Sequence, residues 1–569
     1  MPANRLSALF HRRLLPWLVL GTILVLYAGT ILLLRPAANF GNLQDDALYF
    51  ALGKALATGR GYMLPSFPGG LHTLKCPALY PWLLSWIWRI DPRFPSNVMP
   101  AIGLTIAFGC WFLIACWLLA KRTLGLDSPW ALAVAAFCGF NFFALFLGGS
   151  VLTDLPFAAL ALTAALCADR ALEPNGHWAW MACAGVLTGL ATGLRTVGVT
   201  LIAGIVLVAL VRRAWHLVAL MCVVGGGLAL PWIFPSLLRA LAALRGFQTH
   251  PNSPALPLGW RQTLALYSSY LNLWRNSVPN WATQWAVLRK NVLSAIIEPG
   301  IFLLFPLANR SAFLSVGLGS LVALGSWAGI FYRLRKTGWK AIHGISLFYL
   351  AMVLPYPFPP QRFLVLLLPL FFGGLAVVAR EIASRAAGAL RGSGPATTRA
   401  GAAVSLLALL AFAGLATANC AWFAPRELAA NMGHQRALLT EERQAYRWIA
   451  RHTAPQAVFI AYNDVLLYLY TGRQAIRPID CSTAGYYDND PAVPLRDAAH
   501  LTDVARFVHA TYWVATPDDF DVELGNDRPV LLRREHEILA PLPEVFRSGR
   551  GRVRIYDIRA LTASSARQR

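Results

Sequence analysis

Two adjacent carboxylates, Asp45 and Asp46, follow the first long apolar run of this 569-residue chain, in the segment Gln44-Asp45-Asp46-Ala47-Leu48-Tyr49. A third, Asp154, stands between two further apolar runs. A carboxylate beside such runs has little structural use, whereas it can take a proton from a reacting group or hold a metal ion. A solvated helix start capped by Asp45 is the alternative, and the pair alone does not decide between the two.

The elements around these residues are apolar. The chain is 57% hydrophobic and holds 20 Trp, which is far too apolar for an ordinary soluble enzyme. A span needs enough residues to cross about 30 Å of hydrocarbon, and some of the shorter runs need snorkelling flanks to do so. About eleven uncharged runs qualify: Leu14–Leu34, Pro100–Ala120, Ser128–Thr153, Leu155–Ala168, Trp178–Leu194, Thr196–Val211, Ala214–Leu238, Ser311–Tyr332, Ile342–Gln361, Phe363–Ala379 and Ala400–Ala424.

The net charge of +23 belongs to the apolar part of the chain. Residues 1–424 hold 31 Lys and Arg against nine Asp and Glu, whereas the remainder holds 19 against 18. The basic residues cluster beside the ends of apolar runs, as the positive-inside rule requires, and not along one soluble face as nucleic-acid binding would require. We therefore expect an inner-membrane protein with a cytoplasmic N-terminus and no nucleic-acid partner.

Alternation of the spans from that N-terminus sends four segments to the extracytoplasmic side. These are the loop 36–97, the turn at Asp154, the long loop 239–310 and everything after residue 424. The first loop is predicted to contain amphipathic helices over Asp45–Thr58 and Pro77–Ile90. Both loops are Trp-rich and are expected to lie on the membrane surface.

Three cations break the charge pattern, because Lys75, Arg195 and Arg362 stand at span mouths on the side where positive charge is avoided. A lipid-linked phosphate would explain them, since Lys and Arg bind phosphate oxygens through charge-assisted hydrogen bonds. Snorkelling to ordinary anionic lipid is the alternative, and it is favoured for Arg195. The phosphate role is favoured for Lys75 and Arg362.

The pattern of residues 1–424 predicts a membrane domain, and that of residues 425–569 predicts a small soluble α/β domain. Thr440 is expected to cap a helix that ends at His452, followed by a strand over Ala457–Tyr462 and a helix over Asp464–Tyr470. Further strands are expected near Tyr512–Ala515 and Val553–Ile558. The segment has no GxxxxGK[ST], HExxH or GxSxG element and hence no catalytic signature of its own.

Taken together, these motifs resemble the GT-C class of polyprenyl-phosphate-sugar-dependent glycosyltransferases, which includes protein O-mannosyltransferases, the aminoarabinose transferase of lipid A and Rgt-type transferases. The likeness covers nearly the whole chain. The elements that carry it are Asp45-Asp46-Ala47-x-Tyr49, Gly59-x-Gly61-Tyr62, Lys75-x-Pro77-x-Leu79-Tyr80, Thr153-Asp154-Leu155-Pro156, Arg362-Phe363, Tyr446-x-Trp448-Ile449 and Tyr470-Thr471-Gly472-Arg473.

The resemblance implies a GT-C-like membrane protein of about eleven transmembrane helices with a small C-terminal extracytoplasmic α/β domain. It implies transfer of a sugar, with inversion, from a polyprenyl phosphate to a lipid, polysaccharide or protein acceptor. Asp45 is then the expected base, with Asp154 and Asp46 as further catalytic candidates. Lys75, Arg362 and Arg195 would bind the donor phosphate, and Tyr49, Tyr62 and Tyr80 would line the substrate site.

A divalent cation is the one candidate cofactor, with Asp45, Asp46 and His72 as its candidate ligands. Two other classes of function are alternatives to a glycosyltransferase. A transporter or flippase of lipid-linked glycans should carry polar residues near the bilayer midplane, whereas the charges here gather at one face. A non-catalytic envelope anchor would leave the Asp and Lys/Arg cluster without a purpose.

Overall fold

The computed structural model describes residues 3–234, 256–304, 313–389, 424–521 and 527–563, with isolated positions between 403 and 414. The first half is a helical body. Its helices are α1 Ala3–Leu33, α2 Asp45–Ala57, α3 Leu79–Ile90, α4 Val98–Arg122, α5 Ser128–Phe140, α6 Phe142–Gly148, α7 Asp154–Ala171, α8 Trp178–Leu194, α9 Val199–Val211 and α10 Trp215–Phe234.

The body continues through a second set of helices: α11 Leu258–Ser268, α12 Tyr270–Ser277, α13 Trp281–Leu304, α14 Gly319–Thr337, α15 Ala341–Val353 and α16 Leu368–Ala389. A 3₁₀ turn over Phe363–Leu367 leads into α16. Helices at both predicted positions of the first loop are confirmed as α2 and α3, but only α3 is amphipathic. In α2 the eight consecutive residues 46–53 are buried, so the helix is covered on every side. In α3 the residues Tyr80, Leu84 and Trp88 are buried at four-residue spacing, while Trp82 and Trp86 are exposed.

Among the described residues, four helices are long and apolar enough to cross a membrane: Leu14–Leu33, Val98–Arg122, Trp215–Phe234 and Phe363–Ala386. The pair α5 and α6, which bends by 61° at Asn141, makes a fifth if it is one broken span. Shorter apolar helices coincide with the predicted spans at Trp178–Leu194, Thr196–Val211 and Ala341–Val353. The predicted span Ala400–Ala424 lies almost wholly outside the described residues, so the count of about eleven stays a prediction.

The long loop 239–310 contains an element that hydropathy did not predict, the 24-residue helix α13. Arg289, Lys290 and Glu298 interrupt its apolar run, which hides it from a search for uncharged segments. Its C-terminal part packs into the body, with Phe302 and Leu303 buried. At Gly300 it passes so close to α14 that a Cβ would overlap the backbone of Gly319.

The C-terminal part of the chain is an α/β domain with one five-stranded sheet. Its strands are β1 Val458–Ala461, β2 Gln474–Ile476, β3 Tyr512–Ala515, β4 Glu544–Arg547 and β5 Arg554–Asp557, and they lie in the order β2-β1-β3-β5-β4. Strands β1, β2 and β3 are parallel, whereas β5 pairs antiparallel with β3 and β4. The helices are α17 Ala424–His452, α18 Asp464–Thr471, α19 Ala484–Asp488, α20 Ala492–Ala499, α21 Asp503–Phe507, α22 Asp527–Leu539 and α23 Arg559–Ala563.

The predicted strands at β1, β3 and β5 and the helix α18 are confirmed, but the predicted helix start at Thr440 is wrong. Helix α17 begins at Ala424 and runs through Thr440, whose hydroxyl donates to the carbonyl of Arg436 at 2.8 Å within the helix. The hydroxyl is thus satisfied without ending the helix. The short strands β2 and β4 were not predicted.

The α/β domain packs directly on the helical body, and one buried apolar cluster runs through both. The backbone of β2 extends this contact, because Ala475 N donates to the carbonyl of Ser66 in the first loop at 2.9 Å. Thr283 of α13 donates to Asp488 of α19 at 2.6 Å. The domain therefore covers the loops that carry the predicted site residues.

Candidate active site

The two adjacent carboxylates at the start of α2 have different environments. Asp46 is 1% exposed, and its two oxygens accept hydrogen bonds from the backbone N–H groups of Gly41 at 3.0 Å and Ala47 at 2.8 Å. Asp45 instead points into a cavity, with a side chain 20% exposed. Asp46 thus shapes the turn, and Asp45 is the carboxylate that a ligand can reach.

Asp45 is paired with two of the three predicted cations. Its Oδ2 accepts from Nη1 of Arg362 at 3.0 Å, and its Oδ1 lies 3.4 Å from Nζ of Lys75. Arg362 stands just before the 3₁₀ turn that leads into α16, whereas Lys75 lies in the loop between α2 and α3. That loop is fixed from outside, since Leu74 N donates to the carbonyl of Ser268 at 2.8 Å.

Arg362 holds a second carboxylate on its other side. Its Nε donates to both oxygens of Asp154, at 3.1 and 3.0 Å, and its Nη2 lies 2.9 Å from Oδ2. Arg195, which caps the end of α8, also pairs with Asp154. The structure therefore brings together Lys75, Asp45, Arg362, Asp154 and Arg195 as one continuous charged network from five separate parts of the chain.

The cations determine the charge state of Asp45. Burial raises the pKa of Asp45, but Lys75 and Arg362 outweigh burial and lower it to about 2. Burial raises the pKa of Asp46 to about 6, although the N–H groups of Gly41 and Ala47 oppose the rise. Asp45 is therefore an anion at every physiological pH.

The network borders a cavity of about 340 Å³ that has an apolar side and a polar side. Leu194, Val197, Met352, Val353 and Phe363 form the apolar side, and Met352 remains 46% exposed at its rim. The α/β domain forms the polar side with Arg477, Asp480, Ser482, Thr483 and Asp527. Asp45, Lys75, Arg195 and Arg362 of the charged network line the same cavity.

Three polar groups of the α/β domain line this cavity: Thr483, Asp480 and Asp527. Thr483 is 7% exposed, and its hydroxyl has no hydrogen-bond partner within the described part of the chain. Burial raises the pKa of Asp480 to about 6 although Arg477 and Lys75 oppose the rise, and burial likewise raises the pKa of Asp527 to about 6. An unpaired hydroxyl that lines a cavity is suited to a hydrogen bond with a polar ligand.

Of the three predicted substrate-lining tyrosines, the structure places only Tyr49 on the cavity. Tyr80 is fully buried, its hydroxyl lies 2.9 Å from that of Thr105, and it is not among the residues that line this cavity. Tyr62 is also displaced from the cavity, because its hydroxyl donates to the carbonyl of Cys76 at 2.5 Å. Tyr62 and Tyr80 instead stabilise the loop and helix around Lys75.

The expected metal site at Asp45, Asp46 and His72 is not formed by these side chains. No group of three or more His, Cys, Asp or Glu side chains with a geometry suited to a metal ion occurs among the described residues. Asp45 is engaged by cations and Asp46 by backbone N–H groups, while His72 Nδ1 is 3.1 Å from the carbonyl oxygen of Tyr62. Although Asp45 and Asp46 are neighbours in the sequence, their side chains have different partners and do not form one site.

Sequence reasoning missed the polar side of the cavity and two aromatic residues, Tyr270 and Tyr356, that line it. One signal was present. Asp480, Ser482 and Thr483 follow β2, and the carboxyl ends of parallel strands are where open α/β sheets place ligands. Because β2 has only three residues, the strand itself escaped prediction.

Comparison with known proteins places this architecture. The oligosaccharyltransferase AglB from Archaeoglobus fulgidus, in complex with an inhibitory peptide and a dolichol-phosphate, superposes with a TM-score of 0.50 at 14% identity over 88% of this chain and 69% of that chain. ArnT from Cupriavidus metallidurans, bound to undecaprenyl phosphate, has a TM-score of 0.48 at 14% identity, over 94% of this chain and 97% of that chain. The mycobacterial arabinofuranosyltransferase AftD has a TM-score of 0.39 at 15% identity, over 94% of this chain and 40% of that chain. No family model and no curated protein matches the sequence.

The superposition on AglB, together with the apolar helices, defines a membrane protein with the GT-C fold. The resemblance drawn from the sequence motifs is thereby confirmed at the level of fold. At 14% identity the likeness concerns the fold alone, so the roles of individual residues rest on the geometry of this chain.

Proposed function

We propose that this protein is a membrane glycosyltransferase that moves a sugar from a polyprenyl phosphate to an acceptor, with inversion at the anomeric carbon. The single observation that carries the proposal is the position of Asp45 between Lys75 and Arg362, in one cavity lined by both apolar and polar side chains. The acceptor is a lipid, a polysaccharide or a protein.

The cavity matches a ligand that is apolar at one end and polar at the other. A polyprenyl chain enters along the apolar side, where Met352 is exposed at the rim. Its phosphate then lies among Lys75, Arg362 and Arg195, whose N–H groups make charge-assisted hydrogen bonds to phosphate oxygens. The dolichol-phosphate in the AglB complex supports a polyprenyl phosphate as the carrier.

The chemistry needs no acid for the leaving group, because the cations stabilise the charge that develops on the departing phosphate. The acceptor does need help, since a hydroxyl or amine is a weak nucleophile at neutral pH. Asp45 is ionised and reachable, and it orients the acceptor and takes its proton, a step worth roughly 10²- to 10⁴-fold in rate. Binding of the phosphate draws Lys75 and Arg362 toward the donor, which raises the basicity of Asp45 when it is needed.

Asp154 and Asp46 act behind this arrangement. Asp154 has a side chain only 2% exposed and does not line the cavity, so it holds the two arginines in place. Asp46 supports Asp45 through the backbone of the turn. The proposal therefore assigns one base, Asp45, and two carboxylates that position other groups.

The proposed topology sets the site on the extracytoplasmic face, with a cytoplasmic N-terminus in the inner membrane. The basic clusters Lys121-Arg122, Arg212-Arg213 and Arg333-Arg335-Lys336 support this orientation. The α/β domain lies on the same side as the site, because it forms part of the cavity.

The test is mass spectrometry of envelope lipids and glycans in a strain that lacks the protein, followed by complementation. We expect one glycan modification to disappear in this strain and to return when the wild-type protein is supplied. Asp91→Asn is the control and should also restore the modification, because Asp91 lies in the same loop but pairs with the exposed Arg93 and does not line the cavity. Asp45→Asn should insert and bind undecaprenyl phosphate but fail to restore the modification. An unchanged envelope on deletion would reject the enzyme, and full rescue by Asp45→Asn would reject the base.

A further inference from the structure

Two buried chains of hydrogen bonds connect the α/β domain to the two turns that carry Asp45 and Arg362. One chain begins at Asp464 and the other at Tyr487. Each passes through one intermediate residue of the helical body. Together they reach both halves of the charged network.

The first chain runs from Asp464 at the start of α18 through Tyr267 of α11 to Gln44. The hydroxyl of Tyr267 donates to Oδ2 of Asp464 at 2.6 Å and accepts from Nε2 of Gln44 at 3.0 Å. All three side chains are buried, at 1%, 1% and 7% exposure. Hydrogen bonds between buried side chains are strong, because losing a partner leaves a polar group unpaired in a low dielectric.

Gln44 is a strained residue, and it directly precedes Asp45. Its φ of 57° and ψ of −49° close a γ-turn in which Asp45 N donates to the carbonyl of Leu43 at 2.5 Å. Such a conformation is costly for a non-glycine residue and persists only where the surroundings fix it. The hydrogen bond from Gln44 to Tyr267 supplies that fixation from outside the turn.

The second chain runs from Tyr487 of α19 through Asn291 of α13 to the segment before Arg362. The hydroxyl of Tyr487 donates to Oδ1 of Asn291 at 3.1 Å. The amide nitrogen of Asn291, itself 2% exposed, donates to three carbonyl groups: those of Leu354 at 3.0 Å, Tyr356 at 2.9 Å and Phe358 at 3.2 Å. One side chain thus sets the path of the irregular segment that ends at Arg362.

We infer that the α/β domain is a working part of the active site, with Tyr267 and Asp464 as positioning residues for Asp45, and Tyr487 and Asn291 as positioning residues for Arg362. The inference rests on the proposed function. It gives the domain a task although its own sequence carries no catalytic motif. The helical body supplies the reacting charges, and the domain holds the two strained or irregular turns that present them.

The two chains predict different defects. Loss of the first should misplace the base and lower kcat with little change in donor binding, because the chain ends at Gln44, which directly precedes Asp45. Loss of the second should misplace a residue that binds the phosphate and weaken donor binding, because the chain ends in the segment that leads to Arg362. A general loosening of the domain would change both quantities together.

The experiment uses the full chain with Tyr267→Phe and Tyr487→Phe, which each remove one hydroxyl and keep the ring. Tyr486→Phe is the matched control, since the ring of Tyr486 lies 4.4 Å from Nζ of Lys290 and is unchanged by the substitution. We expect Tyr267→Phe to lower kcat at least about tenfold with undecaprenyl phosphate affinity unchanged, since small misplacements of a reacting group are costly. We expect Tyr487→Phe to weaken undecaprenyl phosphate binding, and Tyr486→Phe to match the wild type.

Conservative rescue separates positioning from folding. Asp464→Asn keeps an oxygen that accepts from Tyr267 and should retain kcat, whereas Asp464→Leu should resemble Tyr267→Phe. Wild-type kinetics in Tyr267→Phe and Tyr487→Phe, alongside an inactive Asp45→Asn, would overturn the inference and leave the proposed function standing. Parallel losses of kcat and binding in both variants would also overturn it. An active Asp45→Asn would overturn the assignment of Asp45 in the proposed function instead.

Discussion

Arg362 donates from Nε to both carboxylate oxygens of Asp154, and it lies between that buried carboxylate and the cavity. The side chain of Asp154 is only 2% exposed, so its carboxylate interacts with protein groups and has almost no contact with solvent. A guanidinium clamped on one face can present its other face to Asp45 or to a phosphate with little loss of entropy. This relationship explains why a carboxylate that no ligand reaches occurs at the site.

Asp154→Asn is expected to destabilise the protein by roughly 3–5 kcal/mol, because it removes the carboxylate that pairs with the largely buried Arg195 and leaves Arg362 paired with Asp45 alone. Thermal unfolding in detergent measures the change. Glu173→Gln is the control, since the ion pair of Glu173 with Arg170 is about half exposed and is expected to contribute less than about 1 kcal/mol. Equal unfolding temperatures for the two variants would contradict the clamp.

Arg362→Lys should behave nearly as badly as Arg362→Ala in binding undecaprenyl phosphate. Arg362 uses Nε, Nη1 and Nη2 toward two carboxylates, and one ammonium group cannot reproduce that fork. Lys75→Arg should keep much of the affinity, because Lys75 makes a single contact of 3.4 Å. Native mass spectrometry with undecaprenyl phosphate gives the ranking, and an affinity for Arg362→Lys close to wild type would refute it.

Asp480→Asn should bind undecaprenyl phosphate more tightly than the wild type at pH 7.5 and equally at about pH 5. With a pKa near 6, Asp480 is an anion at the higher pH and neutral at the lower one. Its negative charge near Lys75 opposes a second anion in the cavity only above that pKa. Comparing variant with wild type at each pH cancels the titration of the lipid phosphate itself. A constant ratio across the range would show that Asp480 does not titrate there.

Gly41→Ala should lower both stability and transfer. The backbone of Gly41 has a φ of 98°, and an added Cβ would lie 2.8 Å from Cδ2 of Leu466 in α18. The turn that Asp46 holds would then be pushed away from the α/β domain. Gly59→Ala is the control: it adds backbone strain at a φ of 74°, but no atom lies within 4 Å of the new Cβ, so it causes no steric clash. We expect about 1–2 kcal/mol for Gly59→Ala and more for Gly41→Ala, with partial relief in Gly41→Ala/Leu466→Ala.

The charged residues of the site were predictable because membrane topology sorts charges by side. Lys75, Arg195 and Arg362 broke the positive-inside pattern, and the structure brings them together with Asp45 and Asp154. The side-chain partners were not predictable. Asp45 and Asp46 are adjacent in sequence, yet a γ-turn at Gln44 separates their environments, and hydropathy carries no information about such a turn.

The contribution of the α/β domain was the part that sequence could not provide. Asp480 and Thr483 are more than 400 residues from Asp45 along the chain, and they meet it only because the domain packs over the first loop. Their spacing matches no chemical motif. The helix α13 was missed because a search for uncharged runs stops at Lys290 and Glu298. In the structure Lys290 donates to the carbonyl of Tyr486 in the α/β domain, and Glu298 accepts from Ser294 of the same helix.

Met352 lines the cavity and is nearly half exposed, and in the proposed function the polyprenyl chain of the donor enters past it. A donor that enters in this way arrives by lateral diffusion within the bilayer. Its effective concentration is then a mole fraction among lipids and not an amount per volume of buffer. Diluting the donor with inert phospholipid at constant molarity should therefore slow the reaction, whereas adding buffer should leave the rate per vesicle unchanged.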